Sequence, residues 1–477
     1  MNTLKAGFAR VDITPPLGIH IQGYFVERIA DGVLDPLSAN ALALSAGGKT
    51  AVLIAVDHCG IIRFYLDRYR KAVADAAQLP MEAVYISATH THTGPVLAPG
   101  AGQIFRPGLS FTGTDRPDAA TDPGMALERE YDRFLEKRLR DAALLAIADL
   151  RPARMGIGMG EAPGIAFVRR YIMKDGSVRT NPGVGNPMID RPAGITDIRV
   201  NVLRFMRADD DNIVLVNFGC HPDVVGGTKI SADWPGFLRR TVEKAVDGTK
   251  CLFFNGAQGD VNHVNVFPKG GDMNDMFLDF DDVSRGYGHA RYMGRVVAAG
   301  VLQAYDKVEW TDVDRIAYAV REIRVASQMP SAQDDIGIEE ARRIAALHAE
   351  GRDLELPYEG MLLTTMVAQA QRILRLEHGP AEYEMPLSVV TVGPAAFVGI
   401  PGEPFTGVGL GLKEAPGWKM ILPTINTNAK EGYFAMMDSY DEGGYEARSS
   451  NYRAGVGETL IAEGRKLLDE LLSETGL

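Results

Sequence analysis

A strand–helix–strand pattern near the N-terminus constrains the fold of this chain more than any other feature. An aliphatic run at residues 51–56 is followed by an amphipathic pattern at residues 64–77 and by a second apolar run at Val84–Ala88. Short apolar runs bounded by turn residues are typical of buried strands. Two strands joined through a helix run parallel, with a right-handed crossover. The pattern therefore predicts an α/β fold, with a mixed or mostly parallel sheet flanked by helices.

Two histidines, His90 and His92, directly follow the second of these runs. In extended backbone, side chains two residues apart point to the same face. Open α/β sheets usually bind ligands at the carboxyl ends of their strands, and imidazole is the commonest metal ligand. The spacing indicates a metal site, although two ordinary polar loop histidines would give the same pattern. Residues 96–125 follow at once, are rich in Gly, Pro, Thr and Asp, and are predicted to form a substrate-side loop.

Two further polar residues also follow apolar runs. His221 comes after the run at Asn212–Phe218, and Glu403 comes after the run at residues 395–400. Because parallel strands gather their ends on one side of a sheet, these residues are expected to meet His90 and His92. Two histidines and a carboxylate that leave one position open are the pattern of a catalytic zinc site. Zinc lowers the pKa of bound water and polarises a carbonyl, so the pattern predicts a hydrolase.

Composition excludes several classes of function. The formal net charge is −12 and the pI is near 5.3, which argues against nucleic-acid binding. No segment approaches the roughly 20 apolar residues that span a bilayer. No apolar signal region is visible at the N-terminus, and three cysteines suit a reducing compartment, so a cytoplasmic location is expected. Because no internal repeat is visible, residues 1–477 are predicted to form one catalytic domain with a helical insert at about 335–380. The expected partner is a small-molecule substrate, and a homo-oligomer is possible.

Several motifs together resemble the neutral/alkaline, non-lysosomal ceramidases. They run through nearly the whole chain in the order found in that family. The similar stretches are Gly7 to Tyr24 with its Asp-Ile-Thr, Thr89 to Pro95, His221-Pro222 with Ser231-Ala232-Asp233 behind it, Gly256 to Val261, Pro401-Gly402-Glu403, and Tyr433 twelve residues before Tyr445-Glu446.

The resemblance implies an α/β catalytic domain with zinc at the base of a pocket. Carried over by position, it implies that His90, His221, Glu403 and Tyr433 bind Zn²⁺. A phenolate ligand such as Tyr433 would not have been chosen from the residues alone. The family also suggests that His92 lies beside the metal, where it polarises the substrate rather than binding the ion.

The chain departs from the ceramidase pattern at the position of the nucleophile. Ceramidases carry a serine directly after Gly-Asp-Val, and this chain has Asn262 there. Because an amide side chain is not a useful nucleophile, direct attack by metal-bound water on the scissile carbonyl is the simpler expectation. His92 or Asp260 could transfer the proton, and Arg170 or Asn262 could contact the substrate. Paired arginines such as Arg169-Arg170 are otherwise ordinary surface residues.

A second departure is the expected absence of the family's C-terminal immunoglobulin-like domain and secretion signal. Both differences weaken the case for a membrane lipid, so a soluble amide or ester is as good a candidate substrate as ceramide. The predicted function is zinc-dependent cleavage of an amide bond in a small or N-acylated substrate. Two alternatives stay open: an ester-, lactone- or carbohydrate-directed metal enzyme using the same cleft, and a non-catalytic binding relative.

Overall fold

The structure is a computed structural model that describes residues 4–24, 27–97, 125–208, 211–272 and 286–475. The strands of these ranges are β1 (Lys5–Asp12), β2 (Gly32–Val33), β3 (Ser38–Ala46), β4 (Lys49–Val56), β5 (Val84–Ala88), β6 (Arg151–Glu161), β7 (Phe167–Val168), β8 (Arg170–Met173), β9 (Val178–Thr180), β10 (Ile189–Pro192), β11 (Arg199–Arg207), β12 (Asn212–Phe218), β13 (Lys229–Ile230), β14 (Thr249–Asn255), β15 (Val261–Asn262), β16 (Glu309–Thr311), β17 (Ile316–Ala326), β18 (Glu382–Val392), β19 (Ala395–Gly399), β20 (Glu403–Pro404), β21 (Met420–Thr424) and β22 (Tyr433–Phe434).

The α-helices of the same ranges are α1 (Arg63–Ala77), α2 (Ala126–Ala148), α3 (Asp233–Ala245), α4 (Tyr287–Tyr305), α5 (Ile338–Ala349), α6 (Gly360–Leu376), α7 (Thr406–Lys413), α8 (Asp438–Glu442), α9 (Tyr445–Ser449) and α10 (Val456–Thr475). None of these helices is both long enough and apolar enough to cross a membrane.

The largest sheet is mixed, which is one of the two predicted alternatives, the other being a mostly parallel sheet. Its nine strands lie in the order β14-β12-β11-β6-β1-β3-β4-β5, with β16 paired to β6. The two outermost pairs, β12–β14 and β4–β5, are parallel, and the other neighbours are antiparallel. Each parallel pair is joined through a helix, α3 or α1, because a parallel connection must cross over the sheet. The strand–helix–strand unit read from the sequence is therefore β4-α1-β5.

The molecule is built in four layers. Helices α1 to α4 cover one face of the large sheet, and the four-stranded sheet β17-β18-β19-β21 covers the other. Helices α7 and α10 pack on the far side of the smaller sheet. Both faces of the large sheet are thus apolar. In β12, Val214 contacts the helices, whereas its neighbour Leu215 contacts the second sheet.

The two edge strands of the large sheet, β5 and β14, approach each other. Residues 425–428, here called the seam segment, lie between them. The Ile425 amide donates to the Asn255 carbonyl of β14 at 3.1 Å, and the Asn428 amide donates to the Ile86 carbonyl of β5 at 2.9 Å. The seam segment therefore joins β5 to the end of β14, which itself pairs with the end of β12.

Helices α5 and α6 lie within residues 335–380, the range of the predicted helical insert. These helices connect β17 to β18, which are antiparallel neighbours in the smaller sheet. They share an apolar cluster of their own that includes Ile344 and Ile373. The assignment of residues 1–477 to a single domain stays a prediction.

Candidate active site

Three buried side chains meet where the edge strands end. His90 follows β5, His221 follows β12, and Glu403 begins β20. One carboxylate oxygen of Glu403, Oε2, lies 3.1 Å from the Nε2 atoms of both His90 and His221. All three side chains are 2% exposed or less. These three residues are predicted metal ligands, and the fold brings them together.

Both imidazoles are oriented by backbone carbonyls. His90 Nδ1 lies 2.5 Å from the Cys59 carbonyl oxygen. His221 Nδ1 lies 2.9 Å from the carbonyl oxygens of Gln258 and Val261. A ring whose Nδ1–H donates to a carbonyl presents an unprotonated Nε2 on its other side. Both Nε2 atoms point at the same oxygen of Glu403, and each ring in its neutral form would turn a lone pair toward that oxygen.

This donor set fits a divalent cation. Two nitrogen lone pairs facing a carboxylate repel each other unless a proton or a cation lies between them. Burial opposes a charge on His90, but Glu403 outweighs it and raises the pKa of His90 to about 10. The same contacts hold the pKa of Glu403 well below its usual range, against the effect of burial. Two atoms bound tetrahedrally to one zinc ion are about 3.3 Å apart, close to the separations here, so the arrangement suits zinc.

The backbone at His90 is held in an unusual conformation. Its φ is +79°, a left-handed value that a residue with a Cβ rarely adopts. The preceding residue, Thr89, donates its hydroxyl to Asp57 at 3.2 Å. Asp57 is fully buried and forms a two-pronged ion pair with Arg239 of α3. Such strain persists only where the surroundings over-determine it, which is typical of functional sites.

Tyr433 lies beside Glu403 because their strands pair. In the parallel pair β20–β22, the two residues are register partners. The Tyr433 ring lies 6.5 Å from the His221 ring, centroid to centroid. Burial and the charge of Glu403 raise the pKa of the Tyr433 hydroxyl well above its usual value, while Arg169 acts in the opposite direction. A phenolate at this position therefore requires a cation next to it.

His92 borders the cluster on the side of His90. The two Nε2 atoms lie 3.2 Å apart. Burial and the neighbouring His90 hold the pKa of His92 well below its usual value, so the ring is neutral. Its Nδ1 is buried and has no hydrogen-bond partner among the described residues. A Cβ on Gly23, whose φ is +124°, would lie 2.8 Å from the His92 side chain, which explains the glycine of the N-terminal motif.

The two adjacent arginines have different surroundings. Arg169 lies over the Tyr433 ring, 5.3 Å from its centroid, and pairs with Glu446 at 2.6 Å. Arg170 instead donates to Ser439 at 2.8 Å and to Glu442 at 2.9 Å. The predicted substrate contact was Arg170, and that role stays a prediction. Arg169 is the arginine that lies against Tyr433, and nothing in the sequence indicates this position.

Asp260 and Asn262 both make protein contacts. The Asp260 carboxylate accepts hydrogen bonds from the Thr406 amide at 2.7 Å and from the Thr406 hydroxyl at 2.9 Å, at the start of α7. Burial raises the pKa of Asp260. Asn262 donates to the Asn181 side chain at 3.0 Å and accepts from the Val264 amide at 3.0 Å. Their predicted roles in proton transfer and substrate contact stay predictions.

The predicted substrate-side loop falls largely on residues 98–124, which lie outside the described residues. Its first residues, up to Leu97, continue directly from the His90–His92 turn.

Comparison with known proteins adds to this geometry. No protein-family profile matches the chain, and no curated protein matches it. Among solved structures, neutral ceramidase from Pseudomonas aeruginosa is similar at 17% identity and a TM-score of 0.69, over 98% of this chain and 74% of that chain. A ceramidase complexed with C2 is similar at 16% identity and a TM-score of 0.68, over the same shares. The resemblance seen in the motifs is thus confirmed in the fold, and the chain has the fold of neutral ceramidases along nearly its whole length.

Proposed function

We propose that this protein is a zinc-dependent hydrolase that cleaves an amide bond in a small or N-acylated substrate. The observation that carries the proposal is the buried group of His90 Nε2, His221 Nε2 and Glu403 Oε2, with 3.1 Å from the carboxylate oxygen to each nitrogen. The ceramidase fold around this group supports amide cleavage as its chemistry.

His90, His221 and Glu403 would hold the ion, with Tyr433 as a fourth ligand from the strand paired with Glu403. When bound, zinc supplies a Lewis acid and lowers the pKa of water. The chain's own contribution is orientation, because both rings are fixed through Nδ1 before any ion binds. Burial of the cluster also excludes bulk water, which strengthens every electrostatic interaction within it.

His92 is the candidate proton acceptor. It is neutral, buried and next to the cluster, and its Nδ1 is not engaged by the described residues. Asp260 fits this role less well because the start of α7 already uses its carboxylate. Proton transfer by a positioned imidazole typically accelerates a reaction about 10²- to 10⁴-fold.

Arg169 is the candidate for stabilising negative charge on the substrate oxygen. Its guanidinium lies over the Tyr433 ring and keeps its charge, since the Tyr433 and Glu446 contacts outweigh burial and raise its pKa. Its Nη2 donates to the Gly259 carbonyl at 2.7 Å, which holds the group in place. Arg170 is less suited because its guanidinium contacts the α8 region and does not lie over Tyr433.

The test is hydrolysis of a panel of matched N-acyl amides, esters and aryl glycosides by the zinc-loaded chain. We expect amides to be cleaved, and we expect activity to disappear after chelation and return with stoichiometric zinc. Preference for esters or glycosides would favour the alternative metal enzyme. Bound zinc without hydrolysis of any substrate would favour a binding protein and refute the proposal.

A further inference from the structure

A buried asparagine lies between the two loops that carry the imidazole ligands. Asn255 is the last residue of β14, and its side chain has no exposed surface. Its strand forms one edge of the large sheet, and the strand before His90 forms the opposite edge. Asn255 therefore lies where these edges meet, next to the end of β12 and the turn into His221.

The Asn255 side chain contacts the backbone directly before each ligand. Its amide nitrogen donates to the Thr89 carbonyl at 3.1 Å and to the Cys220 carbonyl at 3.1 Å. Its amide oxygen accepts from the Cys220 amide at 3.3 Å. Thr89 precedes His90, and Cys220 precedes His221. One planar amide thus fixes the distance between the two ligand-bearing turns.

The Asn255 backbone also contacts the seam segment between the two sheet edges. Its carbonyl accepts from the Ile425 amide at 3.1 Å. The next residue of the seam segment, Asn426, donates its side-chain nitrogen at 3.5 Å to the Cys59 carbonyl, the same carbonyl that faces His90 Nδ1. The ring centroids of His90 and His221 are 5.0 Å apart, across a gap that the sheet's own hydrogen bonds do not span.

We infer that Asn255 is a positioning residue that sets the spacing of His90 and His221 and thereby the affinity of the site for its metal. The inference rests on the proposed function in assuming that a divalent cation binds there. Outer groups that orient metal ligands typically change metal affinity about 10- to 100-fold when they are removed.

A second buried asparagine provides a matched control. Asn217 of β12 donates to the Phe254 carbonyl at 3.1 Å and to the Pro423 carbonyl at 2.9 Å. It is 1% exposed and joins β12 to β14 and β21, and its side-chain hydrogen bonds do not reach either ligand-bearing turn. Substitution of either asparagine should weaken the fold in general, whereas only substitution of Asn255 should change the spacing of His90 and His221.

The experiment compares Asn255→Ser, Asn255→Asp and Asn217→Ser with the unchanged chain. Zinc affinity is measured by competition with a chromophoric chelator, ligand geometry by the visible absorption of the Co²⁺-loaded protein, and stability by thermal unfolding. We expect both Asn255 variants to bind zinc about 10- to 100-fold more weakly and to alter the Co²⁺ spectrum. Asn217→Ser should lower the unfolding temperature and leave zinc affinity and spectrum unchanged.

Asn255→Asp keeps the size of the side chain and is included in case Asn255→Ser does not fold. The added negative charge by itself would strengthen the binding of a cation. Weaker zinc binding by this variant would therefore come from the changed ligand spacing and would support a positioning role for Asn255. Unchanged zinc affinity and spectrum in the Asn255 variants, or an equal loss in Asn217→Ser, would overturn the inference and leave the proposed function intact. Failure of the unchanged chain to bind zinc would refute both.

Discussion

The polar residues singled out in the sequence lie in two different regions of the molecule. The candidate metal site, here called the metal cluster, consists of His90, His92, His221, Glu403 and Tyr433. Asp260, Asn262 and Arg170 lie in a neighbouring region, here called the support region. In the metal cluster, two imidazole nitrogens converge on one carboxylate oxygen, His90 Nε2 and His221 Nε2 on Glu403 Oε2. In the support region, the polar groups are bound by backbone amides and side chains. Buried position alone therefore does not identify a reactive group, whereas converging acceptors do.

The largest effect should come from removing a ligand of the metal cluster. His221→Ala deletes an imidazole whose Nδ1 is anchored on two carbonyls and whose Nε2 faces Glu403. Loss of a group that only orients a metal ligand can weaken metal binding about 100-fold. We expect this loss of a ligand to weaken zinc binding further and to abolish turnover. Metal analysis after dialysis against a weak chelator measures this. Full retention of zinc would show that the cluster is not the metal site.

His92→Ala should separate metal binding from proton transfer. Because His92 lies beside the ligands, we expect zinc content to be kept and turnover to fall about 10²- to 10⁴-fold. Asp260→Asn in the support region is the matched control, since an amide oxygen can still accept a hydrogen bond from Thr406. Steady-state turnover at saturating zinc measures both variants. A large loss in Asp260→Asn with little loss in His92→Ala would assign the proton transfer to Asp260.

The adjacent arginines test the boundary between the two regions. Lysine keeps the charge and loses the forked geometry, so each substitution removes the same chemical feature. We expect Arg169→Lys to lower turnover about 10-fold, because its guanidinium lies against Tyr433. Arg170→Lys should mainly lower the unfolding temperature, because its contacts are with Ser439 and Glu442. If Arg170→Lys loses more turnover per folded molecule than Arg169→Lys, the original prediction of Arg170 is the better one.

The smallest effect on turnover should come from Asn262→Ala. The side chain is buried and bonded to Asn181 and Val264, so its loss should cost about 1–3 kcal/mol of folding stability. Since water is the expected nucleophile, turnover per folded molecule should stay within about 10-fold of the unchanged chain. Unfolding by denaturant and a steady-state assay measure the two quantities. A covalent adduct trapped on the protein during turnover would contradict direct attack by water.

Much of the local structure could be predicted from the sequence. The unit β4-α1-β5, the hairpin of β18 and β19, and helices α5 and α6 have clear patterns of apolar residues and turn residues. His90, His221 and Glu403 could be grouped because each follows a strand. The mainly antiparallel order of the large sheet could not be predicted, because strand pairing depends on contacts between distant segments.

Other parts of the site had no local signal. Adjacent residues in extended backbone point to opposite sides, and nothing in the sequence says which of Arg169 and Arg170 faces the cluster. Asn255 belongs to a glycine-rich stretch, where an asparagine is expected to be an ordinary turn residue. Its role depends on the approach of two sheet edges, which is a property of the whole fold.

The seam segment has a consequence for the behaviour of the protein in solution. Exposed edge strands offer unpaired backbone groups that recruit other chains into aggregates. Here residues 425–428 occupy backbone groups of both β5 and β14, and the same segment carries Asn426 to His90. Displacing it would free backbone groups of β5 and of the last residue of β14, and it would disturb the surroundings of His90 in the same event. Aggregation and inactivation of this protein should therefore begin with the same local opening.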